Sequence, residues 1–197
     1  MSQPTPPQTP QINPETVAAL ERLVPRSRQL MITGGALIVL GSAAITVLAV
    51  SSTLSLVPIG LIIMFGSLFE IGVGHHARAE DGPITPWLKS GMLLGFVGLC
   101  TVTAPLMPSI IFTILTGITL MAAGWVRLRA TSFTPIKQKS AIIPVSASLT
   151  ILIGVLLITR WSGDNITATG NLLALELIAT GWGLVGLGMT LNRYQRN

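Results

Sequence analysis

Apolar residues gather in long runs along this chain, separated by short polar breaks. Six runs stand out, at approximately 29–50, 53–73, 87–104, 109–126, 141–159 and 167–189. A helix rises about 1.5 Å per residue, so about 20 residues cross about 30 Å of hydrocarbon, and each run qualifies or nearly does. Inside lipid every backbone N–H and C=O must be paired within its own segment, which predicts helices. The runs are too long and too continuous for barrel strands. The fold expected is therefore an all-α membrane protein with six transmembrane helices in a domain over 29–192.

Small residues recur within these runs at a fixed interval. Odd-numbered spans carry them seven apart, at Gly34 and Gly41, Gly91 and Gly98, and Ala147 and Gly154. Even-numbered spans align as "GLIIMFGSLFEI" from Gly60, "GITLMAAGWVRL" from Gly117 and "ALELIATGWGLV" from Ala174, with successive starts 57 residues apart. The repeat unit is two helices, which predicts three helical hairpins repeated in parallel at about 29–75, 87–129 and 141–190. Parallel repetition differs from the inverted repeats common among secondary transporters. Glycines so spaced are expected on helix contact faces, because close packing replaces the hydrophobic effect inside lipid. The alternative is that membrane helices simply tolerate glycine.

Ahead of the first run, residues 1–13 are rich in Pro and Gln and are expected to be disordered. Residues 14–28 predict a short amphipathic helix at the cytoplasmic interface. Asn13 stands at its N-cap, Pro14 at its first position, and Val17, Leu20 and Val24 share one face. Pro25 should bend or end it. The first span resembles a signal peptide in its basic flank, but its apolar run is long for one, so it is expected to be retained.

Composition supports the lipid assignment. Charged residues make up 10% of the chain and apolar ones 50%, against roughly a quarter charged in a soluble domain. Mean hydropathy is +0.71. Lysine and arginine favour the cytoplasmic side. Arg22, Arg26, Arg28, Arg78, Lys89, Arg127, Arg129, Lys137, Lys139, Arg193 and Arg196 all fall on one side of the predicted topology, and Arg160 on the other. Both termini are thus expected in the cytoplasm. This asymmetry accounts for the net charge of +5, so no nucleic acid partner is inferred. The lone Cys100 excludes an intramolecular disulfide and reads as a packed thiol.

Six short spans in three hairpins, with "GGALIVLG" and "GMLLGFVG" in odd helices, "MAAGWVRL" ending the fourth and "ALELIATGW" in the sixth, resemble the HdeD-type family of bacterial inner-membrane proteins. The resemblance covers roughly residues 24–192. It implies a bacterial inner membrane and an association with acid resistance, with no established enzymatic activity. The chain departs from the family pattern around "KQKSAIIPVSASLT", where Pro144 stands in place of a glycine in the fifth helix, and in its Pro-rich leader.

Polar residues inside the spans are the candidates for chemistry. Glu176 lies deepest, and a carboxylate at mid-bilayer costs about 2.5–3.5 kcal/mol on insertion scales. The neutral acid is the form expected there, donating one hydrogen bond. Folding the last hairpin brings Ser148 and Thr150 level with it as natural partners. Glu176 is then either a clasp pinning the sixth helix to its neighbours or a group that handles protons or cations. Glu70 and Arg127 occupy equivalent repeat positions near the cytoplasmic ends of the second and fourth helices. They form either an ion pair or two separate headgroup contacts.

The remaining motifs carry less. His75 and His76 beside Glu80 and Asp81 read as a solvated loop, with pH sensing as the minority view and no metal assigned. Trp87, Trp125, Trp161 and Trp182 read as interfacial anchors. The sequon at Asn165 is short and common by chance. Phosphate loops, zinc spacings and nucleophile–base pairs are lacking, and the connecting loops are too small for an enzyme domain. The expected protein is non-enzymatic and without a cofactor. Its expected partners are the lipid bilayer and either a second copy or another membrane protein complex. The competing function is proton-coupled or passive permeation through Glu176.

Overall fold

The structure, a computed structural model, describes residues 27–50, 56–77, 86–132, 142–159 and 166–196. The leader at 1–13 and residues 14–26 of the predicted interfacial helix lie outside them. So do Glu80, Asp81, Lys137, Lys139, Arg160, Trp161 and the Asn165 sequon, and the side chains of His76 and Trp87. The described residues form six α-helices and no strand: α1 (Ser27–Val50), α2 (Val57–Ala77), α3 (Pro86–Thr103), α4 (Ser109–Ser132), α5 (Ile142–Ile158) and α6 (Ile166–Arg196). A single 3₁₀ turn, Ala104–Leu106, links α3 to α4.

The helix boundaries follow from local chemistry. Pro86 opens α3, and Pro58 and Pro144 fall in the first turns of α2 and α5, where a missing N–H leaves no intrahelical bond unmade. Pro105 lies within the 3₁₀ turn, and Pro108 stands immediately before α4. Ser27 and Arg28, assigned from sequence to the interfacial helix, belong instead to α1. Five helices contain spans long and apolar enough to cross a membrane: Ser27–Thr46, Val57–His75, Leu88–Leu106, Ser109–Arg129 and Thr167–Asn192. α5 is apolar but has 17 residues, which reach about 25 Å, a few ångströms short of the hydrocarbon thickness.

Neighbouring helices run antiparallel, so α1, α3 and α5 begin on the face where α2, α4 and α6 end. The closest pairs are α2 with α3, α4 with α5, and α6 with α1, whereas α1 and α2 scarcely touch. The tightest packing therefore joins helices of successive predicted hairpins rather than the two helices within one. Small residues explain why. A Cβ at Gly34 would lie 2.6 Å from the Gly181 carbonyl oxygen, one at Gly117 2.7 Å from that of Gly154, and one at Gly60 2.9 Å from that of Gly98. Backbones this close admit no side chain between them. Gly35 and Gly72 face open space, and glycine there is merely tolerated.

α6 is the central element, with 72% of its span buried against 28% for α1. Its inward residues build layers with their counterparts 57 positions earlier. Ile63, Leu120 and Leu177 form one such layer, almost wholly buried. Two turns further toward the ends of the same helices, the equivalent inward positions hold Glu70, Arg127 and Leu184, also buried. A charged pair thus occupies two positions of a layer whose third member is leucine.

Candidate functional site

That layer anchors a buried polar cluster drawn from five helices. Arg127 lies near the C-terminal end of α4, and helical side chains lean toward the N-terminus of their helix. Its guanidinium therefore extends back into the bundle instead of reaching the headgroups, and the residue is 5% exposed. Glu70, on α2, is 1% exposed. Arg127 Nε donates to Glu70 Oε1 at 3.0 Å and Nη2 donates to Glu70 Oε2 at 2.9 Å, a two-pronged pairing of guanidinium with carboxylate. Ser90, in the first turns of α3, accepts from Arg127 Nε at 2.6 Å and donates to Glu70 Oε1 at 3.2 Å.

The same guanidinium reaches Glu176 from its other edge. Arg127 Nη1 lies 3.3 Å from Glu176 Oε1, 3.3 Å from Thr150 Oγ1 and 3.1 Å from Thr180 Oγ1. The hydroxyls of Thr150 and Thr180 each donate to Glu176 Oε1 at 3.0 Å. One arginine therefore bridges two carboxyl groups. Glu176 is fully buried, and its Oε2 has no hydrogen-bond partner among the described residues.

The geometry alters the partners expected for Glu176. Thr150 reaches it, but Ser148 does not: Ser148 is exposed and donates to the Pro144 carbonyl at 2.9 Å. Residues two apart on a helix point to nearly opposite faces, so Ser148 and Thr150 cannot both face α6. Arg127, read from sequence only with Glu70, also serves Glu176, so the two candidate sites are one cluster. Ser90 and Thr180 were missed. Thr180 is four residues beyond Glu176, on the same helical face, and that spacing signals it; Ser90 lies 37 residues from Arg127 with no local signal.

Other candidates remain apart from the cluster. Cys100 is buried in α3, and His75 is exposed on the last turn of α2. Trp125 and Trp182, 57 residues apart, are both about half exposed on the outer surface, and the Arg129 guanidinium stacks 5.2 Å from the Trp125 ring centroid. The described residues include no group of three or more His, Cys, Asp and Glu side chains placed to hold a metal ion. No protein-family model matches the chain, and no curated protein or solved structure matches it.

What this cluster can do follows from its closure. Apart from the contact of the Thr150 hydroxyl with the Ser146 carbonyl at 3.2 Å, the side-chain hydrogen bonds run between members of the cluster, and they tie α2, α3, α4, α5 and α6 together. Buried interhelical hydrogen bonds in lipid contribute about 0.6 kcal/mol each, up to about 1.7. Removing one member has a larger effect, because it strands charge in a medium that cannot solvate it.

Proposed function

We propose that the chain is a multi-pass membrane protein of the HdeD type, resident in a bacterial inner membrane with both termini in the cytoplasm. It acts without enzymatic activity, as an acid-stress-associated or accessory factor that packs against itself or against other membrane proteins. The single observation carrying this reading is the buried Glu70–Arg127–Glu176 cluster, in which one arginine pairs with both carboxyl groups. A guanidinium committed to six internal hydrogen bonds is a clasp, and the apolar outer faces are what the protein offers to others. The one-sided distribution of lysine and arginine supports the orientation. The matched glycine contacts of α2–α3, α4–α5 and α6–α1 support an origin by triplication of a two-helix unit.

Purification in mild detergent tests the reading. An accessory factor elutes with a stoichiometric partner or as a defined oligomer, and the association survives substitution of exposed Ser148. A strictly monomeric particle with no partner under several detergents contradicts it.

One observation favours a second reading, proton or cation permeation through Glu176: the unpartnered Oε2 atom in the interior. Liposomes carrying a pH gradient separate the two. Permeation predicts a flux that Glu176→Gln abolishes, whereas the clasp predicts no flux and a loss of stability in the same variant.

A further inference from the structure

The charge count of the cluster is unequal, since two carboxyl groups face one guanidinium. Glu70 takes both prongs of Arg127 and is the ionised partner. Glu176 is loaded on one oxygen only. Oε1 accepts from Arg127, Thr150 and Thr180, while Oε2, in the same fully buried group, accepts from nothing among the described residues. That is the division of a carboxylic acid, whose carbonyl oxygen accepts and whose other oxygen bears hydrogen. An unpartnered hydroxyl is also far cheaper to bury than half of an unpartnered carboxylate charge.

We propose that Glu176 is a binding site for one exchangeable proton, carried on Oε2. The proposal rests on the clasp reading and adds a ligand to it. Binding forms one O–H bond and leaves the cluster neutral; release leaves it with one net negative charge shared across Arg127. The charged groups facing Glu176 are Arg127 of α4 and, beyond it, Glu70 of α2. Among the described residues α5 contributes the Thr150 hydroxyl and α3 that of Ser90, and α1 adds no charged group to the cluster.

Toward the face where α2, α4 and α6 begin, the apolar Ile59, Phe112, Leu157 and Leu173 are joined by two further buried polar atoms without a partner among the described residues, Thr116 Oγ1 and Asn171 Oδ1. The hydroxyls of Thr101 and Thr113 in that half are turned back onto their own helices. Toward the opposite face lie Arg127 and Ser90, and Ser146 there donates to its own helix at the Ile143 carbonyl, 2.9 Å away.

Infrared spectroscopy of the full chain in lipid nanodiscs at neutral pH tests the assignment. The wild type should show one carboxylic-acid C=O band that shifts in D₂O; its absence overturns the proposal. Glu176→Gln should remove the band. Glu176→Asp should move it, which covers the case in which the glutamine variant does not fold. Glu70→Gln should remove it as well, because Arg127 then has only Glu176 to neutralise, and a band persisting in that variant overturns the charge count. Vesicles with a trapped pH dye should leak protons no faster with the protein than without it, and a leak abolished by Glu176→Gln overturns the bound proton in favour of permeation. Failure of the clasp itself reads out separately, as an Arg127→Met protein no less stable than wild type.

Discussion

Arg127→Met is the perturbation that loads the clasp most heavily. Methionine preserves much of the side-chain length but removes every donor. Glu70 then loses contacts at 3.0 and 2.9 Å and Glu176 one at 3.3 Å, all in a buried setting. Breaking a buried pair by deleting one partner destabilises by about 3–5 kcal/mol. An independent route gives a similar size, since a lone carboxylate deep in a span costs about 2.5–3.5 kcal/mol. The two overlap near 3 kcal/mol, about a hundredfold in the folding equilibrium. The assay is reversible unfolding in mixed micelles titrated with a denaturing detergent, followed by circular dichroism. The double variant Glu70→Leu, Arg127→Leu should recover most of the loss, because buried Leu184 shows that leucine fits the third equivalent position, and apolar replacement of a whole buried pair is often neutral or better. A single variant within about 0.5 kcal/mol of wild type, the ordinary range for inconsequential surface changes, would refute the reasoning. So would a double variant no more stable than the single one.

Other outcomes follow from the same contacts. Gly181→Ala should destabilise by about 1–3 kcal/mol, because its Cβ would lie 2.6 Å from the Gly34 carbonyl oxygen, whereas Gly35→Ala, facing open space, should be neutral or slightly stabilising; thermal melts of the two proteins compare them directly. Thr150→Val should cost about 1–3 kcal/mol by removing a donor from Glu176, and Ser148→Ala should change stability little. Should those two rank in the opposite order by the same unfolding titration, the assignment of Thr150 to the cluster is wrong. Cys100, buried in α3, should resist maleimide in the folded protein and react on denaturation, as mass spectrometry would record.

The helices were legible because lipid imposes one rule on the backbone and one on side chains, and long apolar runs answer to both. Predicted span limits such as 87–104 and 141–159 differ by one residue at each end from α3 and α5. The 57-residue spacing also pointed at Glu70 and Arg127 as equivalent positions, and the contact between them carries that same separation. Which helices pack most tightly was not legible. A hairpin drawn through the short connection between α1 and α2 suggests they are close neighbours, but Gly34 and Gly41 present their bare backbones to α6. The arginine's reach escaped for a related reason: Arg127 and Glu176 differ in depth along the sequence, and only the backward lean of a long side chain closes the gap. Ser148 was favoured by level alone, and a rotation of two residues about α5 turns it away.

The most direct test of a lipid-spanning, antiparallel bundle is accessibility of single cysteines at its two ends. In a Cys100→Ser background, Leu106→Cys lies in the turn between α3 and α4, where Leu106 is 85% exposed, and Lys89→Cys lies at the exposed start of α3. With intact spheroplasts, a membrane-impermeant thiol reagent should modify Leu106→Cys and spare Lys89→Cys until the membrane is opened. Equal modification of both before lysis, or recovery of the protein in the aqueous fraction without detergent, would contradict the account.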